Sequence, residues 1–588
     1  MLKKKRLYTF AIIQMLLICA LLGRIAQLQL IDTESFSKHN INLIEASVAQ
    51  RTQTVTVDDG RGKFYDRFGN PLGHEEIPTL ILFPFLKKMT WPSKTIASLA
   101  GIKEEILLAD IQEAKKPFPF LKDGKPIKLS NWQMEQINNL KIPGVFAVEQ
   151  NFGVKHVPAQ QLIGGLTQSA EIKEKRYGDR ELSINTKFGD KGLQEQFDEV
   201  LLSTGESKLV FHVDGTGGPL FGLDVKYLSP SNPYYPVKVI TTIDKEAQKL
   251  AEKLVDEHHI QTGGLILLDI ETSEIRALVS KPDVSDNPNE GQGAHNFMFK
   301  RATPGSVFKT VVAAAAIENG IIDTESDRMF NCDQNILGQS ENVKRKLGQL
   351  NFVDSFAQSC NRTFAELAND LKTKNPELLE EYAEKLNLVE RSGWTGELFH
   401  NDSFEQLYKE EQGRIWLKKE YNKDKNLISQ TAIGQQDVQV TPLGIANMMA
   451  TIAKGGEREK VKAVDRLEYA DGTLLVDFDS KKIEGNSISS FTAQKLQSML
   501  REVVTNSKGT GALLNNLPYK VAGKSGTAET NKEHDKENLW FAGYFPFEKP
   551  KYALVTVRLD ATEGDEGVKR LFADMVAGLY NLDHREQE

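Results

Sequence analysis

The sequence predicts an α+β catalytic domain, carried on a mixed α/β module behind a single apolar N-terminal helix. Three observations lead there. No charged residue occurs from Leu7 to Gly23, directly after the basic cluster Lys3, Lys4, Lys5 and Arg6. From residue 236 the spacing of apolar residues reads as strand, helix and hairpin in succession. Strand-like segments return near the C-terminus with helix-rich sequence between, so one sheet joins the two ends of this region.

The N-terminal run fades through Arg24, Ile25, Ala26, Leu28 and Leu30. A bilayer core needs about 20 helical residues, and the run meets that if Arg24 snorkels to the interface. The basic cluster stays in the cytoplasm, which places everything after residue 31 outside. A cleaved signal peptide is the competing reading. It lacks a small-x-small cleavage site, and Ile18 is too bulky before Cys19 for a lipoprotein signal. A buried core helix is the third reading, disfavoured by the basic flank and the N-terminal position. The expected order is therefore a cytoplasmic tail (1–6), an anchor (7–31) and a polar juxtamembrane stem (32–60).

From 61 to 235 strand-like pieces such as Thr79–Phe83 alternate with helical pieces such as Ile106–Glu113. Loops carry Ser203-Thr204-Gly205 and Gly215-Thr216-Gly217-Gly218-Pro219. No chemical constellation and no repeat is visible here, so this is a non-catalytic module. The region 236–585 opens with a strand, Val237–Thr242. A helix follows through Ile243, Ala247, Leu250, Ala251 and Leu254, then the apolar strand Leu265–Leu268. Ile275, Ala277 and Val279 alternate as in a half-buried strand. Trp540–Tyr544 and Ala553–Val557 form a second hairpin, and Phe572, Met575 and Leu579 mark a terminal helix.

The chain has 588 residues, room for about two to four domains. Its 40% hydrophobic and 26% charged residues permit a large core. A net charge of −8 argues against a nucleic-acid binder, which needs a basic face. Three cysteines exclude a disulfide scaffold and a four-cysteine zinc site. Cys19 lies in the apolar run, and whether Cys332 and Cys360 pair stays open.

Three short elements carry chemistry. In Thr303-Pro304-Gly305-Ser306-Val307-Phe308-Lys309, Pro304 and Gly305 mark a helix start. Ser306 and Lys309, three apart, share a helix face. A neutral lysine amine there can take the hydroxyl proton, and free N–H groups at a helix start favour developing negative charge. Alone this is weak, since Ser35-Phe36-Ser37-Lys38 matches the same spacing by accident. Ser359-Cys360-Asn361 offers a hydroxyl to relay a proton and an amide to hold a peptide, but by itself it is a helix cap. Lys524-Ser525-Gly526-Thr527 offers hydroxyls and a cation for a carboxylate, with a glycine that lets a substrate backbone approach. By itself it is a surface turn. In this order the three form the pattern shared by penicillin-binding proteins and serine β-lactamases.

Over nearly its whole length the sequence resembles class B, monofunctional penicillin-binding proteins, peptidoglycan DD-transpeptidases of the penicilloyl-serine transferase family. Arg61-Gly62-Lys63-Phe64-Tyr65-Asp66-Arg67-Phe68-Gly69-Asn70 resembles the opening of that family's pedestal. Gly189-Asp190-Lys191-Gly192-Leu193, Thr241-Thr242-Ile243-Asp244 and Gly509-Thr510-Gly511 are similar to further elements of it. Two departures touch the pedestal, not the chemistry. Gln194 replaces a Glu that pairs with the pedestal Arg, and Lys155-His156-Val157-Pro158 stands where Arg-x-Tyr-Pro is usual. No glycosyltransferase motif of the Glu-Asp-x-x-x-His type is present.

The resemblance implies a dimerisation-type pedestal at 61–235 and a transpeptidase domain at 236–585. The latter is expected to hold a five-stranded antiparallel sheet flanked by helices. It implies that Lys309 deprotonates Ser306, which attacks the penultimate D-Ala carbonyl of a stem peptide. Backbone N–H groups of Ser306 and Thr527 form the oxyanion hole, and Ser359 relays the proton between Lys309 and Lys524. Asn361 holds the substrate amide. Ser525, Gly526 and Thr527, with Lys524 behind, bind the terminal carboxylate. No metal or organic cofactor is implied. The implied partners are stem peptides, β-lactam antibiotics, the membrane and other cell-wall synthesis proteins such as a glycosyltransferase. Alternatives are a membrane-bound β-lactamase, for which Glu397-Leu398-Phe399-His400-Asn401 is a loose motif in an irregular solvated stretch, a β-lactam sensor, and an inactive divisome partner.

Overall fold

The computed structural model describes all residues except 1, 34–35, 37–41, 155, 181, 183–185, 203–204, 215–217, 221–224, 229–231, 286–290, 341–344, 532–535, 563–566 and 586–588. The accidental motif residues Ser35, Ser37 and Lys38, together with Lys155 and the loop residues Ser203, Thr204 and 215–217, fall outside the described set. The chain forms two compact units. One comprises Met1–Arg61, Glu75–Gly153 and Ser203–Tyr235, the other Gly62–His74, Val154–Leu202 and Pro236–Glu588. The two are thus interleaved in sequence, and no single cut at 235 divides them.

In the first unit, Leu2–Ala26 is one α-helix, extended by a wider turn over Gln27–Ile31. The span Lys4–Ile31 is apolar and nowhere buried, so it is long and apolar enough to cross a membrane. Much of the stem is not mere polar linker. Leu43–Gln50 is helical, and Thr52–Asp58 is a strand paired antiparallel with Ser207–His212. Val55 and Val57 point inward with the two-residue period of a strand and join Ile81, Phe83, Phe85 and Phe211 in a small core. A second cluster packs Leu82, Leu107, Ile111, Ile137 and Val145 between short helices and a strand.

The second unit is built on an antiparallel sheet. Its strands run in the order Glu274–Lys281, Gly263–Asp269, Tyr552–Thr562, Lys536–Phe545 and Ala522–Asn531. The expected hairpins are its two halves, joined where Gly263–Asp269 pairs with Tyr552–Thr562. Helices Lys245–Glu257 and Gly567–Arg585 pack on the sheet, and Ala251, Val255, Leu265, Leu267, Phe541, Leu554, Phe572, Met575 and Leu579 share one core. Asp244 caps the first helix by accepting from the Glu246 and Ala247 N–H groups. Pro442–Ala453, buried from Pro442 to Ile452, is an apolar helix of the interior.

The Glu274–Lys281 strand departs from the half-buried alternation that its sequence suggests, being buried from Glu274 to Ser280. Both faces are covered. Gln248 clamps the strand by donating to Leu278 O (2.9 Å) and accepting from Leu278 N (2.8 Å). Arg276 is held by Glu274 (2.5 Å) and Asp269 (3.1 Å), so its charge is paired where it is buried. Segments 62–74 and 154–202 join this unit through explicit bonds. Lys63–Tyr65 pairs in parallel with Lys238–Thr241, Ala159 N donates to Glu252 (2.9 Å), and the Gln161 amide donates to Ser280 O (2.8 Å).

Candidate active site

Ser306 does not begin a regular α-helix. It sits in a tight 3-10 turn, Gly305–Phe308, and the α-helix Lys309–Glu318 starts only at the lysine. Glycines explain the turn. Gly305 has φ 55°, and a Cβ there would lie 2.2 Å from Thr527 O. Its N–H donates to Gly434 O (3.0 Å), and a Cβ on Gly526 would lie 2.4 Å from Pro304 O. The turn carrying Ser306 is therefore pressed against the edge strand Ala522–Asn531, next to the Thr527 backbone. Every residue from Lys309 to Ile317 is buried, so the helix anchors the turn in the core.

Lys309 is fully buried. Its Nζ lies 2.9 Å from Ser359 O, 3.1 Å from Ser359 Oγ and 2.7 Å from Asn361 Oδ1. Lys524, also fully buried, places Nζ 3.0 Å from the same Ser359 Oγ and 3.0 Å from Ser525 O. Ser359 thus bridges the two amines. It can do so because it stands at φ 62° in the turn between helices Phe352–Ala357 and Asn361–Lys374. Phe364 and Phe356 face the two amines at 5.5 and 5.7 Å, which gives the pair apolar walls.

These surroundings lower both lysines. Burial, then the Lys524 charge, then Arg345 push Lys309 well below the usual lysine range. Burial, then Arg345 and Lys569 bring Lys524 down to about 7. Lys309 Nζ donates to three acceptors here, Ser359 O, Ser359 Oγ and Asn361 Oδ1. No hydrogen bond joins Lys309 to Ser306 among the described residues. Such contacts commonly tighten only with substrate bound.

A cleft of about 620 Å³ brings Ser306, Ser359, Asn361, Ser525 and Thr527 onto one surface. Lys309 and Lys524 lie behind it. Gly526 forms the close packing against Pro304 described above. The Ser525 hydroxyl donates to Thr510 Oγ1 (2.8 Å), while Thr510 N donates to Ala357 O (3.0 Å), so Thr510 ties the strand to the Ser359 turn. Cys360, between Ser359 and Asn361, forms a disulfide with Cys332, with Cα atoms 5.8 Å apart. Both cysteines line the cleft. Thr510 had a sequence signal only through its Gly-Thr-Gly setting. Arg345, Gln435 and Glu537, which also line the cleft, had none, because only the fold carries them to the motifs. Glu397 and Asn401 lie on an exposed hairpin, Thr395–Leu398 with Asn401–Glu405, rather than in an irregular stretch, and neither is among the residues lining the cleft.

Residues 263–576 match the penicillin-binding protein transpeptidase domain. The chain belongs to that family. It is an enzyme of the transpeptidase class, and neither the lactamase nor the sensor reading is favoured. Stage V sporulation protein D of Bacillus subtilis is 23% identical over 549 residues, covering 87% of this chain and 76% of that protein. The peptidoglycan D,D-transpeptidase FtsI of Escherichia coli K12 is 22% identical over 586 residues, covering 94% and 86%. Among solved structures, a chain of a peptidoglycan synthase complex that couples polymerization and crosslinking superposes with a TM-score of 0.65. It is 21% identical, and 98% of each chain is covered. That likeness extends the shared fold beyond the family domain.

Proposed function

We propose that this transpeptidase is a single-pass membrane protein that cross-links peptidoglycan stem peptides through an acyl-enzyme at Ser306. The observation that carries the reading is the chain Lys309–Ser359–Lys524, two buried amines joined by one hydroxyl directly behind a half-buried serine in an open cleft. Lys309 takes the Ser306 proton as Oγ attacks the penultimate D-Ala carbonyl. The backbone N–H groups of Ser306 and Thr527 receive the developing oxyanion. The C–N bond breaks, and the proton passes through Ser359 to the amine of the departing D-Ala. Asn361 holds the peptide amide, and Ser525 and Thr527 hold the terminal carboxylate. A neighbouring stem-peptide amine then attacks the ester and frees Ser306. Water in its place gives residual carboxypeptidase activity. The route calls for no metal or organic cofactor. β-Lactams enter as mimics of the D-Ala-D-Ala terminus, and a glycan-polymerising partner is part of the reading.

The acyl-enzyme formed with penicillin is expected to persist for hours, a barrier above roughly 22 kcal/mol. Glu397, the base of the loose lactamase motif, is exposed and is not among the residues lining the cleft. Full-length protein in detergent therefore labels stoichiometrically with fluorescent penicillin and shows no sustained hydrolysis of a chromogenic cephalosporin. Glu397→Ala changes neither. Steady turnover of about one per second that vanishes in Glu397→Ala would overturn the reading in favour of a lactamase.

The apolar span Lys4–Ile31 and its basic N-terminal flank motivate the topology, with the N-terminus cytoplasmic and the catalytic unit outside. A reporter that works only outside the cytoplasm, fused after residue 588, is expected to be active. Activity of a cytoplasm-only reporter at that site reverses the orientation.

A further inference from the structure

Neither motif lysine presents its ammonium group to a ligand. Lys309 and Lys524 are both fully buried and hydrogen-bonded to Ser359 and its neighbours. The hydroxyls of Ser525 and Thr527 are neutral. Of the charged side chains on the lining of the cleft, two are carboxylates, Glu529 and Glu537, which stand opposite each other on adjacent strands. Glu529 is two residues from Thr527 and so lies on the same face of its strand. A carboxylate brought to Ser525 and Thr527 loses water, which is costly without a compensating cation.

The cleft holds one exposed cation among its described lining residues, Arg345. Its charge acts on both Lys309 and Lys524 behind the cleft, and no hydrogen bond or ion pair engages it among the described residues. A guanidinium carries a fixed charge and a planar fork that matches a carboxylate. We propose that Arg345 is a specificity-determining residue, which supplies the positive charge that receives the terminal carboxylate of the donor peptide and the equivalent carboxylate of a β-lactam. This rests on Ser306 being the nucleophile. Lys524 then acts behind the strand on Ser359 and the Ser525 carbonyl, while Ser525 and Thr527 give the carboxylate its direction and Arg345 its charge.

The test is the second-order rate of acylation of the full-length protein in detergent by a penicillin bearing its free carboxylate and by the methyl ester of the same compound. Wild type reacts faster with the acid. Arg345→Gln is expected to slow the acid by about tenfold to a hundredfold, the worth of one charge-assisted contact, and to leave the acid-to-ester preference largely erased. Arg345→Lys restores part of that preference. Any effect of Arg345 on Lys309 is common to acid and ester and cancels in the ratio. An equal fractional loss for acid and ester, or an unchanged acid rate, overturns the proposal. Mapping the adduct keeps the underlying assignment separate: label on a peptide lacking Ser306 refutes the nucleophile, whereas label on Ser306 with an unchanged ratio refutes Arg345 alone.

Discussion

Ser306→Ala is expected to abolish covalent labelling by penicillin while leaving the protein as stable as before. The side chain is half-buried, and among the described residues its hydroxyl makes no hydrogen bond whose loss would leave a buried partner unsatisfied. The turn is fixed by Gly305, Gly434 and Gly526 rather than by the hydroxyl, so the change in unfolding free energy stays within about 0.5 kcal/mol. Labelling drops to background because the atom that forms the ester is gone. Ser35→Ala, in the accidental copy of the spacing, changes nothing. Mass spectrometry of the tryptic adduct decides the matter: an acyl group on any peptide without Ser306 refutes the assignment.

Much of this site was legible because its chemistry is local in sequence. Ser306 and Lys309 share one turn, Ser359 and Asn361 flank one helix start, and Lys524 to Thr527 occupy one strand. Period-two and period-3.6 spacing likewise exposed the hairpins and the terminal helix. What sequence did not show is what distance creates. The buried Glu274–Lys281 strand needs the Gln248 clamp and the Arg276 ion pairs, none of which alters its alternating pattern. The association of 62–74 and 154–202 with the catalytic unit depends on pairings such as Lys63–Tyr65 with Lys238–Thr241. The start of the helix at Lys309 rather than at Ser306 follows from the packing of Gly305 on Thr527, a contact between residues far apart in the chain. Arg345 belongs to none of the three motifs, and only the fold brings it to the lining of the cleft.

Lys309→Met should slow acylation by penicillin about a hundredfold to ten-thousandfold, the usual worth of a positioned general base. Methionine nearly conserves the volume of the aliphatic stem inside a helix that is buried throughout. It removes the donor to Ser359 O and Asn361 Oδ1, which costs stability, and it also removes a buried amine, which returns some. The pH dependence separates a base from a mere spacer. In the wild type only the neutral amine can accept the Ser306 proton, so acylation rises with pH through the lowered folded value and then levels. Stability carries the same sign. The cost of burying Lys309 is absent above its ordinary value of 10.5, grows as the pH falls below it, and is complete once the pH is under the folded value. Between those two values the unfolded chain binds more protons, so wild-type stability climbs with pH. Lys524 adds a second climb between about 7 and 10.5 that survives in the variant. Lys309→Met is therefore expected to flatten the pH–rate limb and to reduce, without abolishing, the pH–stability slope in chemical denaturation. A variant that acylates within tenfold of wild type, with its pH limb intact, shows that another group takes the proton from Ser306.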